Sequence, residues 1–279
     1  MDTHATGLAA GHIGLILGLV GFSLASVLFP LTFGKPSAQT ILTRLALSAF
    51  VAATLAITWS LVATGLSRAD GAGLPTGVML ASCLGWLTIA AYAWLKIKPL
   101  GAFLAPLVTL ILLLQLFVAP PVAGPGLTSE VPLLAAFHVG MAILGQAFAI
   151  GACGVSIFYL WSRSALKRRQ LGQLPAQVPA IDRLEKMLVG CLWAGFAFIT
   201  AGLVTGALYT QLHQIPTGGE LEAKVVWALV VWVWYLATLI ARNVLNHPGR
   251  RIAQMSLGGF VLMAAAYFGM IFFRIPGGL

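Results

Sequence analysis

Five residues of this chain place hydrogen-bonding or metal-ligating side chains inside, or just past the end of, long apolar stretches: His12, Gln115, His138, Gln146 and His213. Strongly polar groups at membrane depth are costly, so each is a candidate for function. Neutral imidazoles from separate helices, brought to one level, can ligate haem iron, whose axial partners are commonly His, or a transition metal. Taken singly, an interfacial His is more often hydrogen-bonded or solvated than a ligand. No carboxylate or thiolate sits at ligand spacing with these histidines, so a metal site made by protein groups alone is not expected. Cys83, Cys153 and Cys191 fall singly in three different apolar stretches without a CxxC pair, and read as small buried hydrophobes. No Ser/His/Asp order, carboxylate pair, phosphate-binding Gly loop or HExxH run is present, so no catalytic residues are assigned and no enzyme is expected.

The elements that must carry these residues follow from composition. The chain has 279 residues, is 59% hydrophobic, and is only 8% charged. Soluble domains carry about 25% charged residues, so this chain cannot coat a water-facing surface. A soluble enzyme is excluded, and a mean hydropathy of +0.96 excludes a disordered chain. The apolar runs are about 20 residues long, which selects helices over the short alternating strands of a membrane barrel. Eight spans are expected: 8–33, 41–66, 77–95, 101–119, 133–161, 188–212, 225–243 and 252–273. The fold class is therefore all-α, a polytopic membrane bundle of eight helices forming one integral-membrane domain over residues 1–279. The first span is not expected to be a cleavable signal, because its flank carries Asp2 and no basic residue.

Thirteen of the 16 basic residues fall in or beside the odd-numbered loops, among them Lys35, Lys96, Lys98, Arg163, Lys186, Arg242 and Arg250; Arg68, Lys224 and Arg274 are the exceptions. Because Lys and Arg in short loops are retained on the cytoplasmic side, the odd loops are inside and both termini outside. The net charge of +9 is thus an orientation signal and gives no reason to expect nucleic acid. The loop after the fifth span holds Lys167, Arg168 and Arg169, which can also dock a cytosolic partner or anionic lipid. Depth follows from helical rise: His138 lies 25 residues from the inner charge Arg163, or ~38 Å. His12 lies ~35 Å from Lys35, and His213 ~40 Å from Lys186, by the same rise. All exceed the ~30 Å hydrocarbon thickness, which brings three histidines to the outer interface.

On the fifth span His138, Ala142, Gly145, Ala149, Ala152 and Ser156 share one line at 100° per residue. Such a stripe either admits a neighbouring helix closely or leaves room for a flat ligand beside His138. Gly202-Leu-Val-Thr-Gly206 and Gly14-Leu-Ile-Leu-Gly18 read as helix-packing motifs by the same logic. Trp227 and Trp234 are seven apart and share a face, which is ordinary packing unless a porphyrin lies there.

The segment from Phe137-His138-Val139, through Ala194-Gly195-Phe196 and Thr200-Ala-Gly-Leu-Val-Thr-Gly206, to Lys224-Val-Val-Trp227-Ala228 and His247-Pro-Gly-Arg-Arg251, resembles the cytochrome c assembly membrane protein family. The resemblance is of the CcsA/CcmC type and covers residues 130–273. It implies a multi-pass protein of the cytoplasmic (inner) membrane that handles haem at the outer face, with membrane lipid and cytochrome c maturation proteins as partners. His138 matches the first of the family's outer histidines, with His213 or His12 as the second ligand and Trp227 beside the haem. The Trp-rich segment expected between Gly206 and Lys224 is reduced to a short stretch without Trp, and the His expected in the seventh span is Ile240. These departures are closest to the HemX-like branch. That branch implies the alternative, a regulator docking a soluble tetrapyrrole-synthesis enzyme through Lys167, Arg168 and Arg169. A small-molecule permease is a third reading.

Overall fold

A computed structural model describes residues 3–32, 39–67, 76–95, 100–117, 133–169, 178–212, 214 and 220–273. All of the regular structure in these residues is helical. The helices are α1 (Thr3–Leu31), α2 (Gln39–Ser67), α3 (Thr76–Leu95), α4 (Leu100–Phe117), α5 (Leu133–Lys167), α6 (Ile181–Leu212), α7 (Glu220–Asn243) and α8 (Gly249–Phe273). Each coincides with one apolar run, because a chain in hydrocarbon must satisfy its backbone groups within the segment itself. Several helices outlast their apolar run. The fifth continues six residues past Trp161 to Lys167, and the sixth starts seven residues before Leu188, at Ile181. Charged residues end the apolar run and leave the helix intact. Asp182 in the first turn of α6 and Lys167 in the last turn of α5 carry the signs that the helix dipole favours.

Among the described residues five segments are long and apolar enough to cross a membrane: Ala9–Leu31, Thr40–Thr64, Leu133–Lys167, Ile181–Leu212 and Glu222–Asn243. The apolar parts of α3 and α4, Gly77–Ala93 and Leu100–Leu114, are shorter.

The chain divides into two compact units, the first holding α1 to α4 and the second α5 to α8. In the first unit α1 lies along α2 through Gly11, Gly14, Gly18 and Gly21. A Cβ at Gly14 would come 2.8 Å from the Ala56 carbonyl oxygen, so only glycine permits this approach. The Ser60 hydroxyl donates to the Gly11 carbonyl at 2.7 Å across the same seam. Phe22 and Phe29 meet Phe50 edge-on, with centroids at 5.0 and 6.0 Å. The Gly14–Gly18 motif is therefore a packing motif, as its spacing suggests.

In the second unit α5 and α6 approach through Ala142, Gly145, Gly195 and Gly202. A Cβ at Gly145 would lie 2.7 Å from Ile199, and one at Gly202 3.3 Å from the Ala142 backbone nitrogen. Ala149, Ala152 and Ser156 are wholly buried, while Val204, Leu208, Val226 and Val233 face outward. Small residues inside and large apolar ones outside is the arrangement expected where lipid replaces water and helices associate by close packing. Phe196 stacks on Trp232 at 5.5 Å, and the Trp232 indole donates to Thr200 Oγ1 at 2.9 Å, which ties α7 to α6.

At the end of this unit where α5 stops and α6 begins, four helices are joined by a polar knot. Arg242 of α7 pairs with Glu185 of α6 at 2.6 Å. The Tyr159 hydroxyl of α5 donates to Glu185 Oε2 at 3.4 Å, and Arg163 Nη1 donates to that hydroxyl at 3.4 Å. Arg242 Nη1 also donates to the His247 carbonyl at 3.3 Å, bracing the turn into α8. Gly249 opens α8 directly against this knot, where a Cβ would lie 2.6 Å from Glu185 Oε2.

Candidate functional site

The second unit forms a half-open cavity of about 240 Å³ among α5, α6, α7 and α8. From α5 it takes His138, Ala142 and Gln146, four residues apart and so on one face; from α6, Ile199, Gly202 and Leu203. Lys224, Trp227, Ala228 and Val231 come from one face of α7, and Met263 and Ala266 close the wall from α8. The small-residue stripe of α5 thus serves both purposes that its spacing allows. Ala142 and Gly145 admit α6, and Ala142 also leaves space beside His138.

His138 is half-buried, and its ring is held from two sides. Nδ1 lies 2.7 Å from the Gly202 carbonyl oxygen. A carbonyl only accepts, so Nδ1 carries the hydrogen and the neutral ring keeps its free lone pair on Nε2. This is the arrangement found in metal-ligating histidines, whose second nitrogen is oriented by a hydrogen bond to a backbone or carboxylate oxygen. The edge of the ring rests on Gly206, where a Cβ would come 2.7 Å from Cε1 and 2.8 Å from Nδ1. The two glycines of Gly202-Leu-Val-Thr-Gly206 therefore differ in role. Gly202 packs against α5 and supplies the acceptor, and Gly206 seats the imidazole.

The sequence candidates separate accordingly. His138 and Trp227 line one cavity. His213 lies outside the described residues, as does the side chain of Gln115. His12 is exposed on α1 in the first unit. Trp234, which shares a face with Trp227, lies over Gly258 and Gly259 and donates its indole hydrogen to the Met255 carbonyl at 2.8 Å, so it fastens α7 to α8. Lys167, Arg168 and Arg169 are all exposed, at the end of α5, and Arg169 closes the helix with a φ of 56°. Gln146, marked by its polar side chain in an apolar stretch, also lines the His138 cavity, whereas Gly206 as the seat of the ring and Lys224 as a further wall carry no isolated sequence signal. The i, i+8 spacing of His138 and Gln146 and the i, i+3 spacing of Lys224 and Trp227 are the signals that point to Gln146 and Lys224.

Among the described residues no three His, Cys, Asp or Glu side chains converge. The single free imidazole nitrogen suits a ligand that brings its own metal and its other donors. The walls offered by Trp227, Ala228, Val231, Met263 and Ala266 suit a flat apolar body. Enclosed sites for ligands of ordinary size run to about 300–1,000 Å³, so a cavity of this volume has room for only part of a larger molecule.

The profile of the family described as Cytochrome C assembly protein matches residues 72–275, which include all four helices of the second unit. Among the relatives, cytochrome c biogenesis protein CcsA of Prochlorococcus marinus (strain MIT 9312) is 28% identical over 101 residues, 36% of this chain and 32% of that protein. Inner membrane protein YpjD of Escherichia coli (strain K12) is 25% identical over 132 residues, 47% of this chain and 49% of its own. The chain thus aligns to between a third and a half of the length of these relatives. No solved structure matches it. With nearly three quarters of its length inside one family profile, the chain belongs to the cytochrome c assembly protein family.

Proposed function

We propose that this multi-pass protein of the inner membrane handles haem during cytochrome c assembly, holding it at the outer interface through His138 Nε2. The observation that carries the reading is the imidazole fixed by the Gly202 carbonyl and Gly206, with its free nitrogen beside an apolar, Trp-walled cavity. Haem fits the donor set, since it needs one neutral imidazole and a flat apolar berth and brings iron with four ligands of its own. His213, which directly follows α6, and His12 are the candidates for a second axial ligand. In this reading α3, α4 and α8 also cross the bilayer, giving eight spans with both termini outside. The protein acts as a carrier, without making or breaking bonds.

The test is a haem titration of the purified protein in neutral detergent. The wild type is expected to show a Soret band that His138→Ala abolishes or shifts. A band indifferent to that substitution, or no band at all, refutes the proposal. A second reading draws on the exposed basic end of α5, where Lys167, Arg168 and Arg169 stand consecutively in solvent. It has the protein dock a soluble enzyme of tetrapyrrole synthesis on the cytoplasmic side. Reversing all three charges should then end capture of that enzyme while leaving membrane insertion intact, and capture that survives reversal removes this reading.

A further inference from the structure

Between the two glycines that hold the His138 ring stands Thr205, a residue that the seat described above does not use. Its hydroxyl turns back along α6 and shares one hydrogen between two oxygens, the Ala201 carbonyl at 2.7 Å and the Gly202 carbonyl at 3.1 Å. The Gly202 carbonyl is the same oxygen that receives Nδ1–H of His138 at 2.7 Å. Glycine makes that meeting possible, because a Cβ at Gly202 would press on the Ala142 backbone nitrogen at 3.3 Å and hold α5 away. A carbonyl oxygen has two lone pairs, and in a helix one of them is directed to the amide of the next turn. The imidazole and the Thr205 hydroxyl therefore draw on the one that remains.

Two donors on one acceptor weaken each other, since each draws off part of the negative charge that attracts the other. The bond at Nδ1 in turn sets how basic the opposite nitrogen is, as the outer partners of metal-bound histidines do. We infer that Thr205 is a positioning residue for His138: by sharing the Gly202 carbonyl it limits the bond at Nδ1 and so holds Nε2 as a softer electron donor than an unshared carbonyl would. The inference rests on the haem reading above and adds a direction to it. Hydrogen bonding behind an axial ligand is one of the levers that set a haem potential, and a softer donor favours ferrous over ferric iron. Thr205 therefore raises the potential of haem held by His138.

The experiment uses the full chain in neutral detergent. Thr205→Val keeps the branched shape and removes the hydroxyl, Thr205→Ala removes it without a replacing methyl, and Thr205→Ser keeps it. Each protein is loaded with haem, checked for the His138-dependent Soret band, and titrated with reductant to its midpoint potential. Thr205→Val and Thr205→Ala are expected to retain the band and to shift the midpoint to a lower value, while Thr205→Ser stays with the wild type. A midpoint unmoved by loss of the hydroxyl overturns the inference, as does a shift to higher potential or an equal shift in Thr205→Ser. The second readout needs no haem. In protein carrying nitrogen-labelled histidine, the Nδ1 proton resonance of His138, assigned by its loss in His138→Ala, should move downfield in Thr205→Val and stay in place in Thr205→Ser. A resonance that Thr205→Val leaves in place overturns the inference. Absence of any His138-dependent Soret band overturns the haem reading, and the role of Thr205 then stands or falls on the Nδ1 resonance alone.

Discussion

Gly206→Ala is the most discriminating single change in the site. A methyl at this position would lie 2.7 Å from Cε1 and 2.8 Å from Nδ1 of His138, while ordinary contact begins at 3.4 Å. The imidazole must therefore retreat by about 0.7 Å, the difference between 3.4 Å and the closer contact of 2.7 Å. Its bond to the Gly202 carbonyl is 2.7 Å, and a retreat of that size along it reaches the limit of hydrogen bonding. Loss of such an orienting bond lowers metal affinity by roughly 10- to 100-fold, or about 1.4–2.7 kcal/mol. The effect on folding is smaller. Overpacking costs about 1–3 kcal/mol, and replacing a mid-helix glycine by alanine returns about 1 kcal/mol. Gly195→Ala is the matched control on the same helix, because its new methyl meets Phe148 at an ordinary 3.4 Å. The assay is a haem titration by Soret absorbance, run beside a thermal melt of each variant. Weakened binding in Gly206→Ala alone, with melting changed by only a few degrees, supports the seat described for His138. Wild-type affinity and wild-type melting in that variant would show that the ring does not rest on Gly206, and the geometry argued for Nε2 would fall with it.

Other outcomes follow from the same geometry. Trp227→Ala should weaken haem binding, whereas Trp234→Ala should leave it unchanged and lower thermal stability by about 1 kcal/mol through the lost bond to the Met255 carbonyl; equal effects on binding would contradict the separation of the two rings. Glu185→Gln should cost about 1–2 kcal/mol in a melt, since Glu185 and Arg242 are only 23% and 31% exposed and the change also weakens the tie to Tyr159. An unaltered melt would mean that the knot does not hold the helix ends. Reporter proteins inserted at positions 172 and 125 should be active on the cytoplasmic and the outer side respectively, and the reverse pattern would overturn the orientation argued from the basic residues.

Much of this architecture was legible one residue after another. Each of the eight helices follows from a run of apolar residues near 20 long, because helical hydrogen bonds close within four residues and hydropathy is a property of the segment alone. The uneven placement of Lys and Arg likewise needs no tertiary information, and the cost of a polar side chain in an apolar stretch marked His138, together with His12, Gln115, Gln146 and His213, before any partner was visible. What remained open was the rotation of each helix about its axis and the choice of neighbour. The glycine stripes of α1 and α6 look alike, yet Gly14 packs against the backbone of α2 while Gly206 carries a histidine ring. Trp227 and Trp234 lie on one face by count, yet one lines a cavity and the other fastens two helices. Glu185 and Arg242 lie 57 positions apart in the chain, yet the packing of α6 against α7 brings them into one ion pair. These distinctions depend on contacts between helices far apart in the chain, where close packing of small residues chooses among several stripes that are equivalent in one dimension. The tautomer of His138 is the sharpest case, since it is set by a single carbonyl oxygen 64 residues away.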